Sequence, residues 1–156
     1  MIENMDRLMH KIDALGGNSK DILKRSMSKN IEYVKGQAKL LCPVDTGNLR
    51  GSISSKTKVD GTTIESICST NVEYAQYVEF GTGPRGEASH EGICPDVPVV
   101  YRQDGWCYMD DNGEFIYTKG QPAKPFMYPA LKNNEENILK EIEKDLKKAI
   151  REIAHD

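Results

Sequence analysis

Between Asn71 and Gly83 the chain reads Asn-Val-Glu-Tyr-Ala-Gln-Tyr-Val-Glu-Phe-Gly-Thr-Gly, and this stretch limits what the segments around it can form. It begins where an alternating, strand-like segment ends, crowds two tyrosines, a valine and a phenylalanine together, and closes on glycines that permit a sharp turn. Tyr74, Tyr77 and Val78 fall at the three-and-four spacing of one short helical face. On that spacing Glu73 and Glu79 are expected in water. The stretch therefore reads as a knuckle between a sheet and an arm.

The segments before the knuckle build a platform. Ile2, Met5, Leu8, Met9, Ile12 and Leu15 repeat at helical spacing up to Gly16-Gly17, which predicts a short amphipathic helix with a glycine stop. A second helix follows, capped by Asn18 or Ser19, with Leu23, Met27, Ile31, Val34, Ala38 and Leu41 in one stripe and Pro43 ending it. In Pro43-Val-Asp-Thr-Gly-Asn-Leu-Arg50, Asp45 is placed to cap a short helical turn, with Leu49 pointing inward. Ser52 to Val59 and Thr62 to Thr70 alternate on either side of Asp60-Gly61 and predict a hairpin.

Beyond Gly83 the pattern changes. Pro84 to Gly92 has no apolar periodicity and reads as loop. Gly105 to Met109 and Glu114 to Thr118 predict a second hairpin through Asp110-Asp-Asn-Gly113. An isolated hairpin is marginal in water, so this one has to dock on something. Pro122 to Pro129 brings the chain back in extended form, and Pro129 is placed to open a long helix at its first position. Its stripe runs Leu131, Ile138, Ile142, Leu146, Ala149 or Ile150, and Ile153, with Glu136–Lys140 and Glu143–Lys147 as favourably ordered pairs. The expected class is α+β: N-terminal helices and a long C-terminal helix packed on a small antiparallel sheet, with an inserted loop and β-hairpin arm. A chain of 156 residues suits a single domain, divided as helices (1–41), turn, hairpin and knuckle (42–83), inserted arm (84–121), and return strand with terminal helix (122–156).

Several function classes are disfavoured. The net charge of −3 is built from many charges of both signs, so no strong field draws in nucleic acid or an anionic membrane. No apolar run approaches a spanning helix, and the first residues lack signal-peptide order; a soluble, cytosolic product is expected. Cys42, Cys68, Cys94 and Cys107 are scattered and read as free thiols. Asp45-Thr-Gly47 has the tripeptide of retroviral-type aspartic proteases, but a helix and Pro43 precede it where an apolar strand is needed. Gly81-Thr-Gly-Pro-Arg-Gly86 has dinucleotide-binding spacing without a following helix pattern. His90, Cys94 and Cys107 are loose candidates for a metal with no fourth ligand. No serine, cysteine or lysine has a histidine in a catalytic arrangement, so no catalytic residue, metal site or cofactor is expected. Trp106, Tyr108, Phe115 and Tyr117 lack a basic surround for stacking bases and read as packing residues or protein-contact anchors.

Three motifs in order carry a resemblance: Cys-Pro-Val-Asp-Thr-Gly-Asn-Leu-Arg-Gly-Ser-Ile (Cys42 to Ile53), Val-Glu-Tyr-Ala-Gln-Tyr-Val-Glu-Phe-Gly-Thr-Gly (Val72 to Gly83), and Pro-Ala-Lys-Pro-Phe-Met-Tyr-Pro-Ala-Leu (Pro122 to Leu131). With a hairpin and a variable insertion between them, the chain from about Gln37 onward resembles the tailed-phage tail-component family founded by the tenth gene product of an HK-series lambdoid phage. The arm hairpin, ending in Thr-Lys-Gly-Gln, is similar to one that many members carry. Tyr128 stands where members often have arginine.

The resemblance implies a non-enzymatic virion protein of the neck or tail: a tail-completion, head-tail joining or minor tail component of a phage, prophage or phage-tail-like bacteriocin. It implies ring self-association, contact with a tail terminator, tail tube or connector, no sequence-specific nucleic-acid binding and no membrane, with residence in the host cytoplasm and then the virion. Pro43, Asp45, Thr46, Gly47, Leu49, Glu79, Gly81, Gly83, Pro125 and Pro129 become architectural under it. Tyr74, Tyr77, Val78, Phe80 and Phe126 become core or hinge packing, and the 84–121 arm a partner contact. The alternative is a metal-dependent or small-molecule enzyme with that arm as a lid.

Overall fold

The computed structural model describes residues 19–154. The helix expected over Ile2 to Leu15 lies outside them. The order is α1 (Ser19–Leu41), α2 (Asn48–Ser52), β1 (Ser54–Asp60), β2 (Thr63–Ser69), α3 (Ala75–Phe80), α4 (Gly83–Ala88), β3 (Trp106–Met109), β4 (Phe115–Thr118), α5 (Met127–Lys132) and α6 (Glu135–Ala154). The class is α+β, with a long C-terminal helix and two separate two-stranded sheets, β1-β2 and β3-β4.

The chain divides into two compact units. The first takes residues up to Val34, Ser55–Cys68 and the segment from Asn134. Its core is the apolar stripe of α1 against that of α6: Leu23, Ile142 and Leu146 are buried together, and Ile22, Met27, Ile64, Ile138 and Ile150 pack around them. Burial of each such side chain contributes about 1.5–3 kcal/mol, which is why helical periodicity decides this unit. Polar groups stitch the same pair. Ser26 Oγ of α1 donates to Asp145 Oδ2 of α6 at 2.7 Å, and within α1 buried Asn30 braces Ser26 by donating to its carbonyl at 2.9 Å. Glu136–Lys140 and Glu143–Lys147 form as i,i+4 pairs on the outer face of α6.

The second unit takes Lys35–Ser54 and Ser69–Asn133. Ala38, Cys42, Leu49, Ile53, Ala75, Phe126 and Ala130 form its buried apolar core. Leu41, assigned to the α1 stripe by spacing, is exposed, and Cys42 takes the inward position. Helix α2 forms where a short turn is expected, but Asp45 does not cap it. Gly47, at φ 84°, occupies the cap position with no side chain to offer, and the amide of Asn48 reaches the Thr46 hydroxyl instead at 3.4 Å.

Two boundaries differ from the sequence expectation. Gly83–Ala88 is helical rather than loop, because Pro84 sits in the first helical turn, where a missing N–H costs nothing. The terminal helix is broken at Asn133-Asn134. Pro129 is the third residue of α5, and the amide of Asn133 closes α5 on the Pro129 carbonyl at 3.0 Å, while Asn134 starts α6 by accepting from Ile138 at 2.9 Å. Leu131 consequently falls outside the α6 stripe and is exposed.

Candidate functional site: the arm and its root

The knuckle faces the opposite way from the one its tyrosines suggest. Tyr74 and Tyr77 are about half exposed, whereas Ala75 and Glu79 are buried, Glu79 at 6 % exposure. The cause is hydrogen bonding. Glu79 Oε2 accepts the amides of Phe126 at 2.7 Å and Met127 at 3.0 Å, and Oε1 accepts that of Tyr128 at 2.9 Å. These are the first amides of α5, which have no partner within their own helix. A carboxylate delivered from α3 therefore caps a helix 47 residues further along, and a buried charge is matched by three donors. The same helix end holds the return strand: Lys124 N–H donates to the Val78 carbonyl at 2.8 Å and Gln121 Nε2 to that of Tyr77 at 2.7 Å.

Immediately after α3 the outgoing and returning chains cross at backbone contact. Thr82 N–H donates to the Gln121 carbonyl at 2.9 Å, and Gln121 N–H to Thr82 Oγ1 at 3.1 Å. A Cβ at Gly81 would lie 2.6 Å from the Ala123 nitrogen and 2.7 Å from the Gly86 Cα; one at Gly83 would lie 2.5 Å from the Lys119 carbonyl oxygen. Gly120, at φ 89°, has the Thr82 carbonyl in the place of any side chain. Gly81, Gly83 and Gly120 all have positive φ, so both space and conformation require glycine there. Tyr101 closes the root from the arm side, its hydroxyl donating to the Phe80 carbonyl at 2.9 Å and its ring stacked near His90. Burial, with Glu87 nearby, raises the Tyr101 phenol above its ordinary range.

The arm beyond this root ends in the hairpin the sequence predicts. Trp106 pairs with Thr118 and Met109 with Phe115. The Asp110 carboxylate accepts the amides of Asn112 at 3.0 Å and Glu114 at 2.9 Å, which fixes the turn and lowers its own pKa. Tyr117 donates to the Asp104 carbonyl at 2.9 Å while its ring stays exposed. Trp106, Tyr108, Tyr77, Val78 and Phe80 line one open groove with Val97 to Arg102.

The residues singled out by motif separate into two groups. Glu79, Gly81, Gly83 and Phe126 lie at the root, while Pro125 precedes Phe126 on the returning chain. Pro43, Asp45, Thr46 and Gly47 lie in the turn before α2 and Leu49 is buried within α2, where Asn48 Nδ2 lies 3.5 Å from the Tyr74 hydroxyl just before α3. Pro129 is half-buried within α5. Cys42 is buried, and burial raises its thiol pKa despite the nearby Arg50 guanidinium, which lowers it. Among the described residues no group of three or more His, Cys, Asp or Glu side chains gathers as a metal site, and His90, Cys94 and Cys107 are not brought together as one. Tyr101 has no sequence signal of this role, and Gly120 and Gln121 show only as part of the Thr-Lys-Gly-Gln string that ends the arm hairpin.

Residues 6–81 match the model of a family described as "Bacteriophage HK97-gp10, putative tail-component". That match supports the tail-component resemblance. It spans just under half of the chain, includes the N-terminal segment that the motifs left out, and stops at Gly81, where the arm root begins. No curated protein and no solved structure matches the chain significantly. The family points to a phage tail component and a place in the virion.

Proposed function

We propose that the protein is a structural component of the phage neck or tail, acting in tail completion or head-tail joining by subunit contact and not by catalysis. The observation that carries this reading is the arm, which is anchored by a glycine-tight root and ends in a hairpin with its apolar side chains exposed. Met109, Phe115 and Tyr117 are 63 %, 81 % and 57 % exposed, a display that single chains rarely carry without a partner. Such a part joins rings by shape, and a chain of net charge −3 lets DNA pass without a multi-phosphate grip. Its partners in this reading are copies of itself and a neighbouring terminator, tube or connector protein.

The test is genetic and visual. Loss of the gene from its phage or prophage should leave particles with unjoined or incomplete tails under electron microscopy, and the intact gene in trans should restore joining. Normal, infectious particles without the protein would overturn the proposal. Deletion of 84–121 should reproduce the defect even if the truncated chain remains soluble.

A further inference from the structure

The two faces of the arm hairpin differ in what they meet. Directly opposed residues of an antiparallel pair share a face, so Trp106 and Tyr108 stand with Thr118 and Ile116, while Cys107 and Met109 stand with Tyr117 and Phe115. Trp106 and Tyr108 of the first face line the groove described above. The second is an exposed apolar row.

We infer that this exposed row and its acidic turn dock into the groove of a second copy of the same chain. The inference rests on the virion reading only for where the contact is used. The chemistry matches at both ends. From Cys107 to Tyr117 the hairpin carries Asp110, Asp111 and Glu114 and no basic residue, whereas among the described residues Arg102 is the only charged one lining the groove. Around Arg102 the groove offers Val97, Val100 and Tyr77, each itself exposed, for Phe115 and Met109 to cover. Its volume of about 1120 Å³ exceeds the roughly 300–1,000 Å³ of small-molecule pockets and suits the end of a hairpin. The two surfaces are different patches of one chain, so the contact is head-to-tail, and such contacts propagate into closed rings or open filaments.

The experiment places a photo-crosslinking benzoylphenylalanine at Phe115 of the full chain and mixes it with isotopically labelled wild type. It is run on the protein alone at high concentration and on assembled particles. Inter-chain cross-links to 74–83 or 97–102 are expected in both settings. Asp111→Arg with Glu114→Arg should weaken self-association by about tenfold or more, and added Arg102→Glu chains should restore it. All three positions are exposed, so circular dichroism should show these variants folded. The inference is overturned if cross-links reach only another virion protein, if none form in either setting, or if the reversed charges change nothing. The first of those results would leave the virion reading standing. Absence of the protein from particles would count against the virion reading but not against inter-chain cross-links seen in solution.

Discussion

The α1–α6 pair and the arm root are held by different physics. In the helical pair, Leu23, Ile142 and Leu146 exclude water from an apolar stripe, and any well-sized hydrophobe can do the same. At the root, two backbones touch through Gly81, Gly83 and Gly120, and a buried carboxylate answers three amides. The first arrangement tolerates substitution because dispersion and burial are non-directional. The second does not, because each contact has one geometry. The second kind fixes the backbone where the chain leaves α3 and where it returns.

Gly120→Ala should be the most damaging single change to the root. It places a methyl on the Thr82 carbonyl at a φ of 89° that alanine resists, and a loss above about 4 kcal/mol is expected for the second unit. Hydrogen exchange should lose protection across 69–133. Retained protection there would mean that the crossing is looser than its backbone contacts imply. Glu79→Ala comes next. Three amides lose a charged acceptor, at about 3–5 kcal/mol after water has partly replaced it, and Glu79→Gln should recover roughly half because one oxygen remains. If both variants melted like wild type, the carboxylate would not be what sets the start of α5. Leu146→Ala, in the other unit, should cost about 2–5 kcal/mol by leaving a cavity, read as a lower urea midpoint. Unlike the two root changes, it should be largely repaired by Leu146→Met.

The same contrast decides how much of the fold was legible in the sequence. Period-3.6 patterns found α1 and α6 because burial writes itself into residue type, and Asp-Gly and Asp-Asp-Asn-Gly located both hairpins through turn chemistry. The root left a weaker trace. Its contacts are backbone to backbone, so the chain records them only as glycines, and Gly120 looks no different in sequence from exposed Gly113. Glu79 was misplaced for a related reason. An acidic residue beside two tyrosines reads as the wet side of a helix, and nothing local announces three amides arriving from 126–128. The break at Asn133-Asn134 was hidden by Leu131, whose spacing fits the α6 stripe although its side chain is exposed.

The smallest expected effect lies on the surface of the helical pair, where Glu141 accepts from Lys29 at 3.2 Å and Lys144 at 3.3 Å. Hydrogen bonds from these two ammonium groups hold its carboxyl below the ordinary carboxylate range. A depressed folded-state pKa gives stability that is present above the unfolded value of about 4.3 and lost as pH falls through the folded value. Wild type should therefore exceed Glu141→Gln slightly in urea midpoint at pH 7, and the gap should close as the pH drops below about 4. It should also narrow in 1 M salt, because the pair is exposed and screening reaches it. A gap that persisted in acid and in salt would show that the advantage of Glu141 over glutamine does not come from its charge, and that its pairing with Lys29 and Lys144 adds nothing measurable to the helical pair.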